Sequence, residues 1–362
     1  MPNLPATYVT TTLRDGVVSL GTRPFPHDAL GADTVLIRPD HLGICRADAK
    51  EILGSRDIPE DRGPLFGHEL VGTVAFAGAR TGFREGELVT LNPNITPSRT
   101  TGFAEYVFVH GTEAQLDQAV VRVPEADIRD CIWMPEPFAC IVHALRKLLE
   151  LTGLTDLRGR RVAVIGAGCA GLTFALYARH LGASVAVFNR GEARRAFARQ
   201  QGLLTEDEIH PLTEAKAEQH QGRFDVVVVA PTIAGAELLE TGADLAADGA
   251  VLLVYGGTRK GDTFPPGQAD VDTVRRRELI EPIDHRGRRI SLAGAYGCHR
   301  EDYEEGFRLR AAHPEAFPLE KLTSRRIGLD EFPRQVMDLA AERVDFPGKV
   351  VIDLAPALPP RP

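Results

Sequence analysis

The chain has 362 residues, 43% of them hydrophobic and 25% charged, with a net charge of −8 and a pI near 5.8. That length is generous for one domain and suits two, each of ordinary soluble composition. The acidic balance, with no Lys/Arg cluster to offset it, excludes a nucleic-acid binder, and the longest apolar runs, such as Val226–Ala230, are too short to span a bilayer.

Met1–Leu20 lacks the apolar core of a signal peptide, and the five cysteines are odd in number and scattered, so a cytoplasmic protein is expected. Residues 1 to about 140 carry short apolar stretches, such as Thr34–Pro39 and Glu87–Leu91, punctuated by Gly and Pro, and read as an irregular β domain. The character changes after Glu136. Ile141, Leu145, Leu148 and Leu149 repeat with helical spacing, and apolar strands then alternate with helical stretches at 162–165, 184–188, 225–230, 251–255 and 289–293. Such alternation predicts a parallel sheet with helices on both faces. Helices are expected over 301–312 and 329–342 and a last strand over 349–354, which returns to complete the N-terminal domain. The tail from Ala355 holds four prolines and is expected to be loose.

Pro64–Val74 places an imidazole and a carboxylate side by side, His68 and Glu69, with Gly67 before them and Gly72 after. Neighbours on a strand point to opposite faces, so one ion can meet both only if the backbone turns there, and Gly67 permits the turn. Cys45 lies upstream and Glu136 downstream. Thiolate, imidazole and carboxylate together suit Zn²⁺, and ligands so far apart in sequence suit a catalytic site better than a structural knuckle. Cys131 and Cys140, nine residues apart, do not match a knuckle and are read as packing residues.

Gly166-Ala167-Gly168-Cys169-Ala170-Gly171 follows the strand 162–165 and opens a helix over 172–181. In this setting the three glycines make the tight turn, the close approach of a pyrophosphate and the helix–strand packing, with the helix N-terminus stabilising the charge. The next strand ends Val187-Phe188-Asn189-Arg190-Gly191, without the acid that would bind a ribose 2′-hydroxyl. Asn189 with Arg190, Arg194 and Arg195 suits a 2′-phosphate, so NADP(H) is expected over NAD(H), with Arg190 the strongest candidate. Arg194 and Arg195 also read as a solvated helix face.

With both features present, the chain resembles the zinc-dependent medium-chain dehydrogenase/reductase family, which includes alcohol, polyol and sugar dehydrogenases. The resemblance rests on Gly43-Ile44-Cys45-Arg46-Ala47-Asp48, Gly67-His68-Glu69 with Gly72, and Gly102-Phe103-Ala104-Glu105-Tyr106. It continues through Glu136-Pro137-Phe138-Ala139 with His143-Ala144, the Gly166–Gly171 turn, Ile290–Gly297 and Gly348-Lys349-Val350-Val351. It implies an α/β architecture. A GroES-like β-rich catalytic domain, residues 1–145 and 297–362, is interrupted by a Rossmann domain with a doubly wound parallel sheet, residues 146–296. By this carry-over Cys45, His68 and Glu136 are zinc ligands, Glu69 is a ligand that alternates with water or substrate, and Asp48 orients the histidine. The resemblance also implies a homodimer or homotetramer.

Two departures stand out. The family's structural zinc uses four closely spaced cysteines, and Asn92–Thr101, where they would lie, has none; one catalytic Zn and no structural Zn are expected. The family's Cys-x-Ser/Thr-Asp hydroxyl, which passes a proton, is replaced by Ala47, leaving Glu69 or an ordered water to carry it. The expected reaction is NADPH-linked reduction of a polyhydroxylated small molecule: a keto-sugar, a keto-cyclitol or an amino-sugar ketone. Asn92, Glu105 and Trp133 are candidate substrate contacts. Oxidation of a polyol or sugar alcohol is the nearer alternative. A cofactor-recycling epimerase or lyase, or a non-catalytic NADP-binding relative, remains open, since fold does not determine function.

Overall fold

The computed structural model describes residues 4–54, 65–95, 98–124 and 133–354. Cys131 and the proline-rich tail lie outside them. The chain divides into two compact units, 1–136 with 299–307 and 323–362, and 137–298 with 308–322. The expected boundary after residue 145 thus falls inside the helix Pro135–Thr152, and the segment 308–322, expected with the first unit, packs in the second.

The first unit is built on an eight-stranded sheet. Its path runs Thr323–Ile327, Lys349–Asp353, Thr34–Ile44, Glu69–Ala77, Leu88–Leu91 and Val120–Arg122, with Val107–His110 and Ser98–Arg99 joined at Thr34–Ile44. The long strand Thr34–Ile44 is nearly all buried because it pairs on both sides. Its pairing with Glu69–Ala77 slips at Pro39, a residue that has no N–H for the ladder. The last strand returns as expected, with Val350 opposite Ile44 and Asp353 opposite His41. Ile37, Leu42, Leu70, Val89, Phe332 and Val350 fill the core, where Phe103 stacks on Phe332 with ring centroids 4.1 Å apart.

In the second unit the five expected strands form in a seven-stranded sheet. Its order is Ile209–Pro211, Ser184–Asn189, Arg161–Ile165, Phe224–Val229, Ala246–Val254, Arg288–Gly294, Ile280–His285. All pairs are parallel except the last, which is an antiparallel hairpin closed at Arg286-Gly287, both with positive φ. The all-parallel expectation is corrected at this edge. Glu281 and Pro282 make the added strand read as loop, and such residues are what a sheet edge tolerates. No described helix is long and apolar enough to cross a membrane.

Candidate metal centre and nucleotide turn

The metal candidates are assembled within the first unit by one short helix and one tight turn. The helix Arg46–Ile52 starts at Cys45, whose N–H donates to Asp48 Oδ2 at 2.7 Å. This bond caps the helix and fixes the cysteine at its mouth. One turn further on, Glu51 accepts from the Phe66 N–H at 2.8 Å, tying the helix to the approach to His68. Gly67 sits at φ +49°, and a Cβ there would lie 2.7 Å from the Phe103 ring. The turn that the sequence requires between His68 and Glu69 therefore begins at Gly67, and the strand starts only at Glu69. Arg99 closes it from behind. Its guanidinium lies 3.7 Å above the Phe66 ring and donates to the Gly67 carbonyl at 3.0 Å.

Ligand atoms of Cys45, His68 and Glu69 all lie within 4.8 Å of one another. Glu136, buried in the first turn of Pro135–Thr152, adds its negative charge to the field at His68. Burial opposes a charge on His68, yet the Cys45 sulfur and the Glu136 and Asp48 carboxylates outweigh it and push the imidazole up to about 10. Burial, partly offset by His68, pushes the Asp48 carboxyl up to about 7. So much negative charge around one imidazole is what a divalent cation would neutralise. His68 Nδ1 and Asp48 Oδ1 are buried without hydrogen-bond partners and face each other 3.7 Å apart. A proton on Nδ1, shared with Asp48, leaves Nε2 as the ligand nitrogen, the carboxylate–histidine arrangement of zinc sites. Donor chemistry and orphaned atoms both fit Zn²⁺.

One partner was missed at the level of sequence. Lys349 Nζ donates to both oxygens of Glu69 at 2.7 Å, and both side chains are buried. A Cβ at Gly43 would overlap the same carboxylate, so this glycine opens the space that Glu69 fills. His41, which had no assigned role, faces Asp353 across the paired strands at 3.0 Å, and burial holds its proton affinity below the ordinary value.

Each of the three substrate candidates has a structural contact. Trp133 is 3% exposed and meets Phe307 edge-on at 6.0 Å. Glu105 Oε2 accepts from the Val9 N–H at 2.6 Å, and Asn92 Oδ1 accepts from the Asn94 backbone at 3.1 Å. None is left as a free polar probe, and the sequence could not distinguish these uses from substrate binding.

In the second unit, Gly166 at φ +106° turns the chain out of the strand, and Gly168 leads into the helix Cys169–His180. A Cβ on Gly171 would overlap the Gly166 carbonyl, so the helix can seat this close only on glycine. Cys169 and Ala170 form the first helical turn, half-buried. Asn189 does not project as a ribose contact alone. Its Oδ1 accepts from the Ala167 N–H at 3.0 Å and its Nδ2 donates to the Gly191 carbonyl at 2.8 Å, bracing the turn against the strand tip. Arg195, one of three candidate guanidiniums, is buried and donates to the Asn189 and Arg190 carbonyls at 2.6 and 3.0 Å. That removes it as an anion contact. Arg190 is exposed, and Arg194 lies against the turn, its Nη1 2.8 Å from where a Gly168 Cβ would stand.

Comparison with known proteins places both halves. Residues 31–126 match the alcohol dehydrogenase GroES-like domain, and residues 145–239 match the alanine dehydrogenase/PNT C-terminal domain. The chain is 27% identical to L-threonine 3-dehydrogenase of Ruegeria pomeroyi, over 91% of this chain and 94% of that one. It is 25% identical to the enzyme of that name from Anaeromyxobacter dehalogenans, over 91% and 93%. Among solved structures, a zinc-binding dehydrogenase of Sinorhizobium meliloti bound to NADP aligns with TM-score 0.70 at 22% identity, covering 97% of this chain and all of that one. Galactitol-1-phosphate dehydrogenase of Escherichia coli aligns with TM-score 0.69 at 20% identity, over 96% and 99%. With the two domain types in this order and relatives matched along nearly their whole length, the chain is similar throughout to zinc-type medium-chain dehydrogenases/reductases.

Proposed function

We propose that this protein is a zinc-dependent, NADPH-linked reductase of a polyhydroxylated ketone, a keto-sugar, keto-cyclitol or amino-sugar ketone. The observation that carries the reading is the cluster of half-buried Cys45 with buried His68 and Glu69, with Glu136 in its field and Asp48 behind the imidazole. Bound there, Zn²⁺ supplies Lewis-acid polarisation of the carbonyl oxygen, and the nicotinamide supplies hydride. Asp48 holds the His68 tautomer. The backbone of Gly166–Gly171, at the N-terminus of a twelve-residue helix, binds the pyrophosphate. Glu69, with the Lys349 ammonium on both oxygens, stands where the proton must be exchanged in place of the hydroxyl that Ala47 lacks. One catalytic zinc per chain and no structural zinc of the four-cysteine kind are proposed, in a homodimer or homotetramer.

The absence of an acid at Asn189, the exposed Arg190 and the position of Arg194 against the turn support NADPH. The test is turnover of a panel of keto-sugars and keto-cyclitols with each cofactor. NADPH is expected to win, and Arg190→Ala with Arg194→Ala is expected to weaken NADPH about tenfold or more while leaving NADH unchanged, because a 2′-phosphate loses its charge-assisted bonds. Equal losses for both cofactors would assign these arginines to the pyrophosphate or to the fold. The second reading is oxidation of a polyol, sugar or amino alcohol, favoured by the hydroxylated substrates in the names of the relatives. Turnover of alcohols alone, with NAD⁺, would establish it over the reductase.

A further inference from the structure

Three histidine- and acid-bearing segments converge at the outer edge of the second unit's sheet. His210 lies in the edge strand Ile209–Pro211, opposite Phe188 in the register. Glu214 follows on the single-turn helix Leu212–Lys216, and His220 comes from the turn before Phe224–Val229. One ligand atom from each lies within 4.8 Å of the other two. His210 Nδ1 is 3.4 Å from Glu214 Oε2.

The two imidazoles are held rather than loose. Their ring centroids are 5.2 Å apart, and both rings rest on the buried Phe188 ring, at 5.3 and 5.2 Å. His220 also stacks on Phe224 at 6.4 Å. Rings locked by aromatic packing lose little freedom when they take a ligand. Glu214 is about half exposed, so solvent reaches the open side of the cluster.

We infer that His210, Glu214 and His220 form a second divalent-metal site, for Zn²⁺ or a similar borderline transition ion. Two imidazoles and one carboxylate are a three-ligand zinc set with a fourth position for water. Without a thiolate or an oxygen-rich shell, the set favours neither Cu⁺ nor Ca²⁺. The present separations must contract, because ligand atoms around a tetrahedral zinc lie about 3.3 Å apart at metal–ligand bonds of about 2.0–2.1 Å. His210 Nδ1 and Glu214 Oε2 are already 3.4 Å apart, so the remaining closure lies at His220. The ion would clip the edge strand, the following turn and the loop before Phe224 into one piece. This clip lies one register position from Asn189, the residue that braces the nucleotide turn.

The site is independent of the proposed reaction. Zn²⁺ is titrated by calorimetry into wild-type protein already loaded at the Cys45 centre and, separately, into Cys45→Ser protein. Both are expected to take up one ion per chain at the His210 cluster, with a rise in thermal midpoint. Glu214→Gln, conservative and at the surface, is expected to weaken that uptake at least tenfold, and His210→Ala with His220→Ala to abolish it. Glu214→Gln guards against a variant that merely fails to fold. Uptake that is absent from the folded wild-type protein, or unchanged in Glu214→Gln and in the double histidine variant, would overturn the site. Loss of the Cys45 event alone would count against the catalytic centre and leave this one standing.

Discussion

Replacing Cys45 with Ser is expected to remove most of the bound catalytic zinc and to lower ketone reduction by about a thousandfold or more. A hydroxyl is a poor substitute for a thiolate toward zinc. A Lewis acid that stabilises developing charge by several kcal/mol is worth roughly that factor at 1.4 kcal/mol per decade. NADPH binding should survive, because Gly166–Gly171 and Asn189 belong to the other compact unit and Asn189 braces the turn from within it. Metal analysis, turnover and a cofactor titration on the same preparation check the three parts together. Full turnover with zinc lost would mean that the reaction does not run through this centre.

Lys349→Met is expected to have the largest effect on stability. It removes the ammonium from a carboxylate that is 2% exposed and has both oxygens paired to it. Breaking one side of a buried pair leaves a charge that water cannot reach, at a cost of about 3–5 kcal/mol. Thermal unfolding of the variant should therefore shift down by several degrees. The double variant Lys349→Met, Glu69→Gln should recover part of the loss, because neither partner then carries an unpaired charge. Glu69→Gln alone, with its zinc content held, also reads the proposed proton exchange: turnover at least tenfold lower is expected, and unchanged turnover would remove Glu69 from that role. A Lys349→Met protein as stable as the wild type would mean that Glu69 finds another partner or binds the metal instead.

How much of this was legible depended on the range over which each contact acts. The convergence of Cys45, His68 and Glu69 could be read because their chemistry is carried by residue type and their geometry by a local turn; Gly67 at φ +49° supplies the bend that His68 and Glu69 need. The five parallel strands could be read because buried strands are continuous apolar runs. Lys349 could not, since it meets Glu69 across 280 residues and a lysine near a chain end reads as a solvated side chain. Glu51 left a fainter trace: it lies one helical turn after Asp48, and two acids on one side of a short buried helix call for partners on both. Asn189 and Arg195 were assigned by position at the strand tip, where sequence cannot tell a ligand contact from a brace. Arg195 donates to backbone carbonyls, which leaves Arg190 and Arg194 as the guanidiniums on which the proposed 2′-phosphate contact rests. Trp133, Glu105 and Asn92 are candidates by chemistry alone; Trp133 also packs on Phe307, and Glu105 and Asn92 accept backbone hydrogen bonds, contacts that residue type does not announce.

In Asn92–Thr101, the interval that has no cysteine, Arg99 reaches back to the Gly67 carbonyl and the Phe66 ring, so its side chain holds the turn that presents His68. A cation–π contact and one charge-assisted bond are modest individually, of order 1 kcal/mol each. They act, however, on the backbone atom next to the ligand.

The most direct measurement is an anomalous difference map at the zinc edge from crystals of the protein purified without chelators. The expected result is a peak bounded by Cys45 Sγ, the His68 ring and a carboxylate from Glu69 or Glu136, whatever is found at His210. No peak there, in crystals that hold NADPH at the glycine turn, would contradict the zinc-dependent mechanism and leave the Cys45, His68 and Glu69 cluster without its proposed role.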